Sequence, residues 1–90
     1  VWTREAVRYQ REAVALARSG APVDAHWLKL ARAVTDANAA FFDAANGFHG
    51  CIAGLHEILR RQGLLAGRWC LDPAEDLSPG QLEEIDRVHA

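Results

Sequence analysis

Four side chains of types that bind metals or act as nucleophiles lie in the second half of the sequence: His49, Cys51, His56 and Cys70. Structural zinc sites use short, fixed spacings, such as two cysteines separated by two residues or two histidines one helical turn apart. Neither spacing occurs here, and the five-residue step from Cys51 to His56 turns these side chains to different faces of a helix. The sequence therefore predicts no metal site.

Cys51 is also a candidate nucleophile, because it lies where a third helix is expected to begin and because His49 or His56 could serve as its base. No carboxylate can be assigned to orient either histidine. A small thiol next to Ile52 is more often a packed core residue than a reactive one. A catalytic Cys51, which would be modified rapidly at neutral pH, is therefore kept as an alternative, and we predict no catalytic residue in this chain.

Carboxylate pairs could act as acid and base, and the candidates are Asp43 with Glu57 and Asp72 with Glu75. Charged residues in caps and loops are usually solvated, so we expect no such chemistry. Lys29 is the only lysine and thus the only side-chain amine here that could form a Schiff base. Its position beside the main apolar stripe of its helix predicts a surface residue instead.

Arg60, Arg61 and Arg68 could bind a phosphate or a carboxylate, but cations at the end of a helix usually compensate the helix dipole and its free carbonyls. The net charge of −2 gives no basic footprint for nucleic acid or an anionic membrane. A helix-turn-helix reader is disfavoured too, because the last helix opens with Glu83 and Glu84, which would repel phosphate. We predict neither a nucleic-acid nor a membrane partner.

The elements that would position these groups are helices. Apolar residues recur with helical spacing, which predicts helices over about 3–19, 25–45, 51–62 and 79–89. Asp24 should cap the second helix, Gly63 should end the third, and Ser78 with Gln81 should form a capping box at the start of the fourth. The second helix is apolar on two sides and should have two partners. In the third, we expect Ile52, Leu55, Ile58 and Leu59 to be buried, and Gly54 to mark close approach of another backbone.

The 90 residues make at most one domain, and half of them are apolar. Cys51 and Cys70 lie far apart and lack the dense, even cysteine spacing of secreted disulfide-rich proteins. We therefore expect two free thiols and a generic cytoplasmic setting. The chain begins with Val1, contains no methionine and ends at Ala90 within a helical pattern. These features predict a fragment of a longer protein.

The run from Asn38 to Asp86 resembles the C-terminal helical region of the dihydrodipicolinate synthase and N-acetylneuraminate lyase family of class I aldolases. In that family a helix ends in Leu-Arg/Lys-x-x-Gly-Leu, a glycine-containing extended segment with a proline follows, and Leu-Ser or Leu-Thr opens the last helix. The matching residues here are Leu59, Arg60, Gly63, Leu64, Gly67, Arg68, Pro73, Leu77, Ser78 and Leu82. The family often has Lys-x-Ala-Leu where this chain has Cys51 to Leu55, which indicates a divergent branch.

The resemblance implies an all-α extension of a (β/α)8 barrel that cleaves or condenses pyruvate or a related 2-oxo acid through a lysine Schiff base. The barrel would supply that lysine, the proton-relaying tyrosine and the carboxylate-binding turn, so neither Lys29 nor Tyr9 is assigned those roles. No cofactor is implied. The helices would pack on the barrel and on neighbouring subunits of a dimer or tetramer. The alternative is an independent helical module that dimerises without catalysis.

Overall fold

Four α-helices account for the regular structure of residues 2–89, which are the residues that the computed structural model describes. They are α1 (Thr3–Ser19), α2 (Ala25–Phe42), α3 (Cys51–Arg61) and α4 (Gln81–His89), with a 3₁₀ turn at Ala44–Asn46. Within these residues there is no strand, so the prediction of an all-α chain with about four helices is confirmed.

The molecule is elongated, with principal extents of 51 × 24 × 21 Å. α1 runs antiparallel to α2: Ala13 lies near Trp27 at the start of α2, and Trp2 Nε1 donates a hydrogen bond to Asn38 Oδ1 near its end at 3.1 Å. α3 and α4 pack on the second half of α2. The buried apolar residues come from α2, α3 and α4, and α1 has none. We call residues 3–35 the hairpin and residues 36–89 the body.

Several helix ends follow the predicted capping signals. Asp24 caps α2 by accepting a hydrogen bond from the His26 amide at 2.9 Å. After α3, the Gly63 amide donates to the Arg60 carbonyl and the Leu64 amide donates to the Leu59 carbonyl. With Gly63 at φ 78°, these two bonds form a Schellman motif.

Two predicted boundaries were wrong, and both errors have the same cause. α2 ends at Phe42 instead of residue 45 because Asp43 adopts a left-handed conformation with φ 59°. α4 begins at Gln81 instead of residue 79 because Gly80 has φ 83°. A left-handed residue cannot continue a right-handed helix, so each one fixes a boundary.

The inward face of α3 also differs from the prediction. Its buried residues are Ala53, Gly54, Glu57 and Ile58. Ile52 is 49% exposed, and Leu55 and Leu59 are only half-buried. Positions 52, 55 and 59 follow one helical stripe, while 54, 57, 58 and 61 follow another. Ile58 is buried as predicted, and Leu55 packs against the same buried cluster. Ile52 and Leu59 lie on the other stripe, so only these two of the four aliphatic residues are left away from α2.

The predicted close approach at Gly54 is confirmed. A Cβ atom on Gly54 would overlap the carbonyl oxygen of Phe41 in the last turn of α2. Because glycine has no side chain, α3 can lie against this backbone, and Phe41 and Ile58 join the same buried cluster. The last turn of α2 is thereby held between α3 and α4.

Replacing Gly54 by alanine tests this contact. In an ordinary helix interior the change would stabilise by about 1 kcal/mol. Here we expect a loss of roughly 2 kcal/mol, because the backbone of Phe41 would have to move away. Urea unfolding followed by circular dichroism measures the change, and Ala33→Gly on the exposed side of α2 calibrates helix propensity. An increase in stability for Gly54→Ala would contradict the close contact.

Candidate functional site

Asp43 is a buried carboxylate at the end of α2 and is only 3% exposed. Its Oδ1 accepts a hydrogen bond from Asn46 Nδ2 at 2.8 Å. Its Oδ2 accepts one from the Gly50 amide at 2.8 Å and another from the Ser78 hydroxyl. Both oxygens are thus occupied by donors from the body.

Gln81, which is also 3% exposed, completes this arrangement. Its Oε1 accepts a hydrogen bond from the Ser78 amide at 2.9 Å, which is the predicted reciprocal capping contact. Its Nε2 donates to the carbonyl oxygens of Ala40 at 3.2 Å and Gly50 at 3.0 Å. We call Asp43, Ser78 and Gln81 the Asp43 cluster, which joins α2, the turn before α3, and α4.

The Asp43 cluster is suited to structure and not to proton transfer. Burial alone would raise the pKa of Asp43, but hydrogen bonds from Ser78, Asn46 and the Gly50 amide outweigh it and hold that pKa below its usual value. A general base must accept a proton near the working pH. Asp43 stays ionised and fully engaged at neutral pH, so it organises the turn.

Glu57 forms a second buried centre and is 1% exposed. Arg60 donates to it through Nε at 2.8 Å and Nη2 at 2.6 Å. Arg61 Nε donates at 2.8 Å, and Arg68 Nη1 lies 3.5 Å from Glu57 Oε1. We call these four residues the Glu57 cluster. It fixes the end of α3 and ties the extended segment after it to the body.

The Glu57 cluster is electrically balanced at its edges. Arg61 Nη2 also binds Asp86 of α4, and Arg68 Nε binds Asp76 at 2.8 Å. Three guanidinium groups thus face three carboxylates, which leaves no surplus positive charge for a phosphate. Arg60 and Arg61 lie in the last turn of α3, where the predicted compensation of the helix dipole acts, and they also bind a buried carboxylate that was not predicted as their partner.

Hydrogen bonds from Arg60 lower the pKa of Glu57 to about 2. Burial opposes this shift, and hydrogen bonds from Arg61 add to it. A protonated Glu57 is therefore not available as an acid at neutral pH. The depressed pKa is also a source of stability, because the folded state binds the proton more weakly than the unfolded state does.

The four candidate metal or nucleophile residues do not converge. His49 is exposed and Cys51 is half-buried at the first position of α3. His56 Nδ1 and Cys70 Sγ lie 3.9 Å apart, and burial, with Glu75, Asp76 and Asp72 nearby, raises the pKa of the Cys70 thiol. A raised pKa disfavours the thiolate. Among residues 2–89, no group of three or more His, Cys, Asp or Glu side chains is placed to hold a metal ion.

The carboxylates considered as acid–base pairs have other hydrogen-bond partners than each other. Asp43 and Glu57 belong to different clusters with different partners. Asp72 uses Oδ1 to accept from the Ala74 amide, and its carbonyl accepts from the Glu75 amide, as in a turn. Lys29 lies on an exposed part of α2, in agreement with the predicted surface position.

Sequence reasoning missed the central roles of Glu57 and Gln81. Glu57 is followed by Arg60 and Arg61 at i+3 and i+4, which is the spacing of side chains that meet on a helix. That signal indicated an ion pair, although not its burial. Gln81 was expected only as a capping residue, and its contacts with Ala40 and Gly50 depend on tertiary packing.

Apolar side chains remain exposed in several parts of residues 2–89. Phe48 and Ile52 lie at the start of α3, and Leu64, Trp69 and Leu71 lie in the segment after it. A separate groove of about 410 Å³ lies between α1 and α2. It is lined by aromatic and aliphatic residues with Gln10 and Thr35, and by no charged residue.

Replacing Glu57 by glutamine tests the Glu57 cluster. We expect a loss of about 2 to 3 kcal/mol near neutral pH, because the arginines lose their buried carboxylate. The wild-type contribution is present above the unfolded pKa near 4.5 and is lost as pH falls towards about 2. The two proteins should therefore converge in stability in acid, and a constant difference in urea unfolding across this range would contradict the role of Glu57.

Replacing Asp43 by asparagine tests the Asp43 cluster, because asparagine tolerates the left-handed backbone but brings a donor to a site that needs acceptors. We expect a loss of about 1 to 2 kcal/mol in thermal unfolding. Asp36→Asn, at an exposed ion pair with Arg87, is the matched control and should change stability by less than about 1 kcal/mol. Equal effects at both positions would contradict the special role of Asp43.

Comparisons complete the description of the site. No helix within residues 2–89 is long and apolar enough to cross a membrane. Neither a known family model, nor a curated protein, nor a solved structure matches this chain.

Proposed function

We propose that this chain is the C-terminal helical portion of a dihydrodipicolinate synthase-like lyase or aldolase, and that its role is to dock on a (β/α)8 barrel. That barrel would act on pyruvate or a related 2-oxo acid through a lysine Schiff base, in the cytoplasm and as a homo-oligomer. The lysine lies outside these residues. The role of the 90 residues is structural.

The observation that carries the proposal is the division of α3 into two faces. Ala53, Gly54 and Ile58 meet the rest of the body, while Ile52 and Leu59 lie on the opposite side. Leaving a stripe of aliphatic residues in water is unfavourable by roughly 25 cal/mol per Å² of apolar area. Such a stripe, continued by exposed Phe48, is typical of a surface that another protein body covers.

The residues that carry the family resemblance have structural positions, which supports the same role. Leu59, Gly63 and Leu64 form the cap of α3, and Ser78 binds Asp43. The indole of Trp69 lies so close to Gly67 that a side chain there would overlap it. These residues shape the chain and do not converge on a substrate pocket.

A second candidate function is an independent helical module that dimerises. The open groove between α1 and α2 favours it, because Trp2, Tyr9 and Trp27 line an uncharged surface. A second hairpin could cover that groove in a four-helix arrangement. The groove does not account for the outward face of α3, so we place the docking function first.

The two functions differ in what the complete reading frame encodes. Sequencing the coding DNA upstream of Val1 should reveal barrel strands, one of which carries a lysine. The complete product, incubated with pyruvate and borohydride, should then acquire a reduced adduct on that lysine, since borohydride reduces the C=N bond that an amine forms with a 2-oxo carbon. A start codon directly before Val1, or an adduct on Lys29, would contradict the proposal.

A further inference from the structure

The charged residues of this chain are divided unequally between the hairpin and the body. The hairpin contains six Lys or Arg residues and three Asp or Glu residues, which gives it a net charge of +3 with its histidine neutral. The body contains four Arg residues and nine Asp or Glu residues, which gives it −5. Because α3 and α4 pack on the second half of α2 in a molecule 51 Å long, opposite charges collect towards its two ends.

Three arginines form one outward face of α1. Arg4, Arg11 and Arg18 follow each other at intervals of about 10 Å along the helix, and all three are exposed. Tyr9 and Ala13, which line the groove towards α2, lie on the opposite side of α1. Among residues 2–89 the three guanidinium groups have no ion-pair partner. We call these three residues the arginine stripe.

The body has the opposite imbalance, because each of its four arginines already pairs with a carboxylate of the body. Asp72, Glu75 and Glu83 have no ion-pair partner in the part of the chain that the structure describes. Asp72 and Glu83 are exposed, and Glu75 is half-buried. We call these three residues the acidic set. The body has no unpaired arginine left to neutralise them.

The arginine stripe and the acidic set of one molecule do not meet. The stripe faces away from α2, whereas α3 and α4 pack on α2, and no ion pair joins α1 to the body within residues 2–89. A second copy of this chain carries both complementary surfaces. When two copies lie side by side in opposite directions, the contact forms twice about a two-fold axis, which closes the assembly. Nucleic acid would attract the stripe but would be repelled by the body of the same molecule.

We propose that two copies of this chain associate side by side in opposite directions, with the arginine stripe of each copy against the acidic set of the other. The inference goes beyond the proposed function and does not rest on it, because both surfaces lie within residues 2–89. Complementary charges accelerate the encounter of the two copies and fix their orientation. Salt screens such charges over about 10 Å at 0.1 M and about 3 Å at 1 M, so the dimer should weaken as the salt concentration rises.

Two charge-reversed variants of the 90-residue chain test the pairing. The hairpin variant carries Arg4→Glu, Arg11→Glu and Arg18→Glu, and the body variant carries Asp72→Lys, Glu75→Lys and Glu83→Lys. The net charge of the hairpin becomes −3 in the first, and that of the body becomes +1 in the second. Because none of these six side chains forms an ion pair among the described residues, circular dichroism should show unchanged helix content.

Sedimentation over a concentration series measures the association. Near 0.1 M salt the wild-type chain should dimerise, and each variant alone should dimerise about tenfold more weakly or less, because like charges then face each other at both contacts. An equal mixture of the two variants should restore the dimer, since opposite charges face each other again at both contacts. Raising the salt to about 1 M should weaken the wild-type dimer and the mixed dimer alike.

Several results would overturn the proposal. A wild-type chain that stays monomeric at low salt would do so, as would a wild-type dimer that is equally tight at high salt. A hairpin variant that dimerises as tightly as wild type would place the interface elsewhere. A monomeric wild-type chain that binds a DNA duplex, and loses this binding in the hairpin variant, would assign the stripe to nucleic acid. The barrel and its lysine are tested separately by the coding DNA and the borohydride adduct, so either proposal can fail without the other.

Discussion

The contact between Gly54 of α3 and the Phe41 carbonyl of α2 sets the geometry of the whole body. Two helices can approach this closely only where one of them lacks a side chain. The approach requires the chain to reverse within a few residues of Phe42, and Asp43 provides that reversal through its left-handed backbone and its bond to the Gly50 amide. Gln81 then fills the space next to Gly50 and brings α4 onto the same corner.

This corner explains why α3 has two different faces. The side that meets α2 must be small, so Ala53 and Gly54 occupy it, and the Glu57 cluster closes its end. Ile58 packs in the buried cluster beside them, and Ile52 and Leu59 are left on the opposite side. The division is a consequence of the close approach, so the internal packing of the body determines which apolar residues of α3 stay exposed.

The sequence predicted the parts of this structure that depend on local interactions. The Asp24 cap, the glycine at the end of α3 and the close approach at Gly54 all follow from residue type and spacing. The left-handed Asp43 was missed because the alanine-rich sequence after it is compatible with a longer helix. The exposure of Ile52 was missed because periodicity cannot distinguish which of two apolar stripes meets a given neighbour. The Glu57 cluster includes Arg68 and is bonded through Arg61 to Asp86, and both of these residues lie outside α3, so helical spacing could not reveal them.

The two buried carboxylates among residues 2–89 organise the fold. Asp43 and Glu57 are buried and held ionised by their partners. The proposed docking function requires a partner to cover Phe48 and Ile52, which are exposed in this structure, and hydroxyl-radical footprinting of the complete product of this reading frame tests that claim most directly. The account predicts that Phe48 and Ile52 are strongly protected there but reactive in the 90-residue chain. Equal reactivity of these side chains in both proteins would contradict it.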